Sequence, residues 1–143
     1  MPKTLPNISV GITRSPLTLV PVLRRLTDPF SGGVAIFVGR VRQEGRGRGA
    51  SRGTARTVLE YEAYRPLALR ELRRIATVAS KRHDARAIVI RHRVGKLDVG
   101  EVSVIVAVAC PHRNEAFLAC RYLIDTLKTE VPIWKTSKSD NRS

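Results

Sequence analysis

The chain has little cysteine, little methionine and few aromatic rings: two Cys, one Met, one Trp, three Tyr and three Phe among 143 residues. Cys110 and Cys120 stand ten positions apart and in no C-x-x-C pair, which argues against a zinc cluster or a disulfide framework. Both sit in apolar surroundings, where a free thiol behaves as a small buried hydrophobe; this points to a reducing cytoplasm. Aromatics at 5% leave no stacking platform for single-stranded nucleic acid, and no RNP, KH or zinc-finger pattern is present. No apolar run nears the ~20 residues of a membrane span. The longest, Val102–Cys110, contains Ser103. The apolar stretch 17–23 is broken by Pro21 and followed by Arg24 and Arg25, unlike a secretory leader. P-loop, G-x-G-x-x-G, G-x-S-x-G and H-E-x-x-H patterns are all missing.

Acidic residues are scarce too. Lys and Arg total 26 against 12 Asp and Glu, a net charge of +14, and only six of the cations are Lys. Such an excess calls for an anion: nucleic acid, an acidic protein or a phosphorylated small molecule. The competing explanation is biased codon usage, with most arginines solvated. The length suits one domain over 1–143, large enough to bury a core without staples.

Alternation at 8–13, with Ile8, Val10 and Ile12 on one side, predicts a strand. Residues 16–26 suit a short helix with Ser15 as N-cap. GVAIFVG at 33–39 reads as a buried strand. Residues 40–56 hold six Arg and four Gly and are expected to form a mobile loop. Deleting 45–53 should therefore leave cooperative unfolding intact. TVLEYEAY at 57–64 returns to strand patterning. A long helix follows at 66–83, with a buried stripe of Ala68, Leu72, Ile75, Ala76 and Ala79. Residues 87–93 and 101–110 read as strands, the second apolar on both faces and so central. A turn region with a short β excursion separates them. A second long helix spans 111–130, with Ala116, Phe117, Cys120, Leu123, Ile124 and Leu127 inward. Pro132 stops it. Residues 133–135 continue extended, and 136–143 are expected to fray. Interleaved strands and helices without a repeat indicate an α+β or α/β domain.

Three groups of residues could carry chemistry. Cys110-Pro111-His112-Arg113 stands at a strand-to-helix junction; with Cys110 as N-cap, the N–H groups of His112 and Arg113 and the guanidinium would suit an anion. The plain alternative is the exposed start of a helix. Lys128 and Lys135 share the string LKTEVPIWK, two of the six lysines. Pro132 breaks the helix between them, so the tail must fold back if they are to converge. Neighbouring ammonium groups turn lysine into a usable base or nucleophile; the alternative is a lysine that merely completes the helix dipole. Phe37-Val38-Gly39-Arg40-Val41-Arg42 runs from a strand into the basic loop and puts arginine at a pocket rim.

In this order, these groups resemble the catalytic large subunit of molybdopterin synthase, the MoaE family. The matching pieces are GGVAIFVGRVR at 32–42, LEYEAY at 59–64, IRHRVGKLDVGE at 90–101, VAVACPHRNEAF ending at Phe117, and YLIDTLKTEVPIWK at 122–135. The last two are the most specific. The resemblance implies an α/β hammerhead fold, with a mixed or antiparallel sheet and two long helices. It implies a cytoplasmic sulfurtransferase that converts cyclic pyranopterin monophosphate (precursor Z) into molybdopterin. Sulfur would arrive as the C-terminal Gly-Gly thiocarboxylate of a small ubiquitin-like partner, in a heterotetramer built around a large-subunit homodimer. By match of position, Lys128 and Lys135 are the catalytic lysines. Arg42, His112 and Arg113 bind substrate, and Phe37 lines the pocket. No metal or other cofactor is implied, because sulfur insertion precedes metal loading, and neither nucleic acid nor membrane is a partner. Two positions depart from the family pattern. Cys110-Pro111 stands where members often have a small hydroxyl residue and Ala, which weakens the N-cap. Thr136-Ser137-Lys138 stands where an acidic residue often follows the last lysine.

Two other classes compete. A non-catalytic basic nucleic-acid-binding module would use residues 40–56 and the Arg-rich helix in a continuous stripe, with Lys128 and Lys135 scattered. A cysteine enzyme would use Cys110 beside His112. The sulfurtransferase requires Arg42, His112, Arg113, Lys128 and Lys135 to meet in one pocket, within one chain or across a dimer.

Overall fold

The computed structural model describes residues 5–43 and 56–140, and their side chains except those of 56–58 and 137–140. Residues 44–55 of the expected loop and 141–143 of the expected frayed tail lie outside the described residues, and with them the deletion at 45–53.

The elements are β1 (Asn7–Thr13), α1 (Leu19–Arg24), β2 (Gly33–Arg40), β3 (Arg56–Ala63), α2 (Arg65–His83), β4 (Ala87–Arg93), β5 (Gly95–Asp98), β6 (Val102–Cys110), α3 (Arg113–Glu130) and β7 (Ile133–Asp140). The architecture is α+β, but its strands divide between two sheets. The first has the order β1-β4-β6-β2, with β1 parallel to β4 and the other pairs antiparallel. The second, β5-β3-β7, is antiparallel. Side-chain patterning explains the division. β4 and β6 are apolar on both faces and need cover on both. β3 and β5 alternate: the cross-strand partners Leu59 and Leu97 are buried, while Lys96, the next residue in register and opposite Glu60, is exposed.

One face of the first sheet meets the long helices. Ile88, Ile90, Val104, Val106 and Val108 pack there with Leu72, Ile75, Leu123 and Leu127. On the other face, Ala87, Val89, Ile105, Ala107 and Ala109 pack under Val22 and Leu26. Each fully buried aliphatic side chain contributes about 1.5–3 kcal/mol, so these two layers hold the fold. The stripe predicted for α2 is buried in full, and the helix ends at Asp84 with φ 55°.

Several boundaries differ from expectation. α1 starts at Leu19 with Thr18 as N-cap, not at 16, because the Ser15 N–H donates to Thr13 Oγ1 and prolongs the turn after β1. β2 is an edge strand rather than a buried one; Val34, Phe37 and Val38 are all exposed. Apolar composition alone cannot tell an edge from a centre. α3 starts at Arg113 with His112 as N-cap, since Cys110 still belongs to β6, opposite Gly33. Its stripe is buried as predicted except Phe117, which is 67% exposed. Phe117 falls on the flank opposite Tyr122, the residue that packs on Arg82 and His83 of α2.

Pro132 ends α3 as expected. Residues 136–140 do not fray, however; they extend β7, paired with β3 from Ile133 opposite Ala63 to Asp140 opposite Arg56. The string T-S-K-S-D has no apolar alternation, so the waiting edge of β3 supplies what local propensity lacks. Among the described residues no helix is long and apolar enough to cross a membrane.

Candidate active site

Lys128 lies exposed on the last turn of α3. Beyond Val131 the chain reverses, and the Tyr64 N–H donates to the Pro132 carbonyl at 3.3 Å. β7 then runs back along β3 and sets Lys135 opposite Tyr61. The Tyr61 ring meets His92 edge-on, with centroids 5.1 Å apart and planes at 68°. His92, only 4% exposed, ends the buried row of Ile88 and Ile90 on β4. Its Nδ1 lies 2.8 Å from the Arg93 carbonyl oxygen, which only accepts, so Nδ1 carries a proton. Burial pushes the imidazole pKa below its ordinary value, and the charge of Lys128 pushes the same way. Lys128 is therefore within electrostatic reach of His92. The lysines come from different elements, α3 and β7, and each is linked to one member of the His92–Tyr61 ring contact: Lys128 to His92 through its charge, Lys135 to Tyr61 as cross-strand partner.

β2 borders the same end. Gly39 and His92 both pair with Val104, which puts the three at one level. A Cβ on Gly39 would come within 2.7 Å of Val104 Cγ1 and 3.3 Å of Phe37 Cε1. The bare glycine thus lets the half-exposed Phe37 ring lean toward this end. The register slips after Gly39, and Arg40 Nε donates to the Gly100 carbonyl at 3.1 Å. The Val41 N–H donates to the Glu101 carbonyl at 2.9 Å, and exposed Arg42 follows. Arg42 therefore stands at the rim on the lysine side.

His112 and Arg113 occupy the opposite end. A Cβ on Gly33 would lie 3.0 Å from Arg113 Cα and N, so α3 begins on the first residue of β2. From Arg113 to Lys128 the helix advances about 22 Å at 1.5 Å per residue. One chain thus gathers Phe37, Arg42, Lys128 and Lys135 at one end and leaves the His112-Arg113 pair at the other. Both of the latter side chains are exposed.

His92 and Tyr61 were missed as site residues by sequence reasoning. Alternation already put His92 on the face of Ile88 and Ile90, and a histidine on such a face was the available signal.

Cys110 is fully buried, and its thiol is pushed up to about 11, first by burial and then by Asp84, Glu115 and Cys120. Almost no thiolate exists near neutrality, which removes the cysteine-enzyme reading. Alkylation by iodoacetamide at pH 7 should be far slower at Cys110 in the folded protein than in the denatured chain. Comparable rates would show that the thiol is accessible.

Many arginines have structural partners. Arg93 pairs with Glu101 at 2.9 Å, and Arg74 joins Glu71 and Glu130 at 2.8 Å each, tying α2 to the end of α3. Arg86 lies 3.6 Å from Asp28 and stacks over Phe30, and Arg91 donates to the Ser9 carbonyl and hydroxyl. The exposed pairs add little stability. They do account for part of the positive charge without a ligand.

The family model described as "MoaE protein" matches residues 12–130. A curated relative, the molybdopterin synthase catalytic subunit of Nostoc sp., is 44% identical over 89% of this chain and 74% of its own length. The crystal structure of molybdopterin synthase from Staphylococcus aureus superposes with a TM-score of 0.77 at 30% identity, covering 92% of this chain and 96% of that one. A complex of subunits 1 and 2 of molybdopterin-converting factor from Helicobacter pylori shares the fold, with a TM-score of 0.67 at 17% identity over 94% of this chain and 86% of that one. With more than half its length matched by the family model, the chain belongs to the MoaE protein family.

Proposed function

We propose that this chain is the catalytic subunit of a molybdopterin synthase, transferring sulfur from the C-terminal thiocarboxylate of a small ubiquitin-like subunit to precursor Z. The observation that carries this reading is that Lys128 acts electrostatically on His92 while Lys135 pairs across the sheet with Tyr61, the ring packed on that histidine, although Pro132 separates the two lysines in sequence. A thiocarboxylate needs cations where the partner's tail ends, and ring opening with loss of water needs an acid and a base close by. Lys128 stands beside the thiocarboxylate and the reacting carbons. Lys135 assists proton transfer or holds the substrate. Phe37 lines the pocket, and Arg42 meets the phosphate at its rim.

His112 and Arg113 also serve the substrate phosphate in this reading. Their distance from Lys128 within one chain favours supply from a second copy, which makes the working unit a homodimer carrying two small subunits. The exposed edge strand β2, with Val34, Phe37 and Val38 uncovered, offers apolar surface for such contacts. Two buried free thiols suit a reducing cytoplasm. The convergence of the lysines favours the enzyme over the nucleic-acid module, which would scatter them.

The test is turnover of precursor Z by the purified chain with a thiocarboxylated small subunit, read as molybdopterin formed. Formation dependent on the thiocarboxylate is expected. No product from a folded, partner-bound chain would overturn the reading.

A further inference from the structure

We propose that His92 and Tyr61 are a positioning pair for the lysine end of the site: the locked His92 ring holds the ring of Tyr61, and Tyr61 sets its cross-strand partner Lys135. The proposal rests on the sulfur-transfer reading only for the reaction it serves; the coupling itself can be measured without substrate.

Three observations carry it. First, the imidazole is locked. It is 96% buried, its Nδ1–H is spent on the Arg93 carbonyl at 2.8 Å, and Tyr61 abuts its edge. Second, with the proton on Nδ1, the ring's other nitrogen, Nε2, is left as the acceptor of the neutral imidazole. In the neutral ring, Nε2 offers a lone pair. Third, the groups around the ring are cationic or neutral. The charge of Lys128 acts on it from α3, Tyr61 packs on it from β3, Lys135 stands beyond Tyr61 on β7, and Arg93 is the next residue of its own strand. Among the described residues no carboxylate acts on its titration.

A buried histidine beside an ammonium and without an acid stays neutral, because a second cation would be both desolvated and repelled. A neutral imidazole with a lone pair suits an ammonium next to it; an imidazolium would drive that ammonium away. The Tyr61 ring links this locked group to the second sheet, since Tyr61 and Lys135 are cross-strand partners. The two sheets therefore keep register where β7 delivers Lys135, at the end of the fold where α3 carries Lys128. A purely structural histidine would be replaceable by Phe, which fills the same space and keeps the ring contact.

The test has two arms. In the first, the His92 ring is titrated by NMR in the intact chain and in Lys128→Met. The midpoint should lie below that of an exposed histidine and rise in the variant; an unmoved midpoint would overturn the coupling. In the second, turnover is measured for His92→Phe, His92→Asn, Tyr61→Leu and the His92→Phe/Tyr61→Leu double variant. His92→Phe and Tyr61→Leu should each lower kcat about tenfold or more, as a small displacement of catalytic groups does, with KM for the small subunit unchanged. His92→Asn, which keeps a neutral polar group, should recover part of the loss and move the acid limb of the pH profile to lower pH. The double variant should be about as slow as the slower single, because the two residues act as one unit. Full kcat in a folded His92→Phe protein, or additive losses, would overturn the proposal. Absence of turnover in the unmodified chain would remove the sulfur-transfer reading alone, and the titration arm would still decide the pair.

Discussion

Lys128→Ala should abolish conversion of precursor Z while the fold and the complex with the small subunit survive. A proton-transfer or charge-stabilising group contributes roughly 10²–10⁴-fold to a rate, and a loss of that size is expected in single-turnover assays with thiocarboxylated partner. Stability should change little. Lys128 is exposed, and what it gives the fold is a favourable charge at the C-terminal end of α3, worth about 0.3–1 kcal/mol. A thermal melt within a few degrees of the unmodified chain, and co-elution with the small subunit, would separate lost chemistry from lost structure. Full activity in this variant would remove Lys128 from the catalytic assignment. Lys135→Ala should also be impaired, but β7 stays paired to β3 through the backbone, so that variant should fold as well.

Mixing two inactive variants should restore activity. Arg113→Ala deprives the substrate phosphate of a guanidinium and should lower turnover by about 10²-fold, the usual cost of one charge-stabilising donor. If Arg113 of one protomer completes the site built on Lys128 of its partner, a Lys128→Ala/Arg113→Ala heterodimer has one intact site and one doubly damaged site. Random reassortment of equal amounts makes half the dimers mixed, so about a quarter of the unmodified turnover should return. The measurement is molybdopterin formation after co-refolding the two variants, against each alone. Activity no higher than that of the better single variant would place both groups in one protomer's site, or Arg113 outside the site. The ~22 Å between the two residues along α3 makes the first of these outcomes hard to reconcile with a straight helix.

Much of the fold was legible because it follows from local periodicity. The α2 stripe, the limits of β4 and the two-sided burial of β6 all came from apolar spacing, which reports directly on how many faces of an element are covered. What was misread depends on neighbours. β2 and β6 are similarly apolar, yet β2 lies at an edge because the described residues provide no further strand beyond it. Phe117 has a core-like residue type and spacing, but its flank of α3 has no covering element among the described residues. Residues 136–140 look like tail and form a strand because β3 has a free edge.

The candidate site divides in the same way. By itself the sequence determined the residue types: two scarce lysines around a proline, an H-R pair at a helix start, an arginine after a glycine-ended strand, and with them the family resemblance. These are local strings that need no folded neighbour to be recognised. Only the tertiary structure decided which of them meet. The reversal after Pro132 and the β3–β7 register bring Lys135 opposite Tyr61, whose ring packs on His92, the histidine on which the charge of Lys128 acts. The length and rigidity of α3 hold His112 and Arg113 at its far end. The physical reason is reach. Sequence spacing fixes distance only within a single rigid element, whereas proximity between elements is set by the packing of two sheets and two helices.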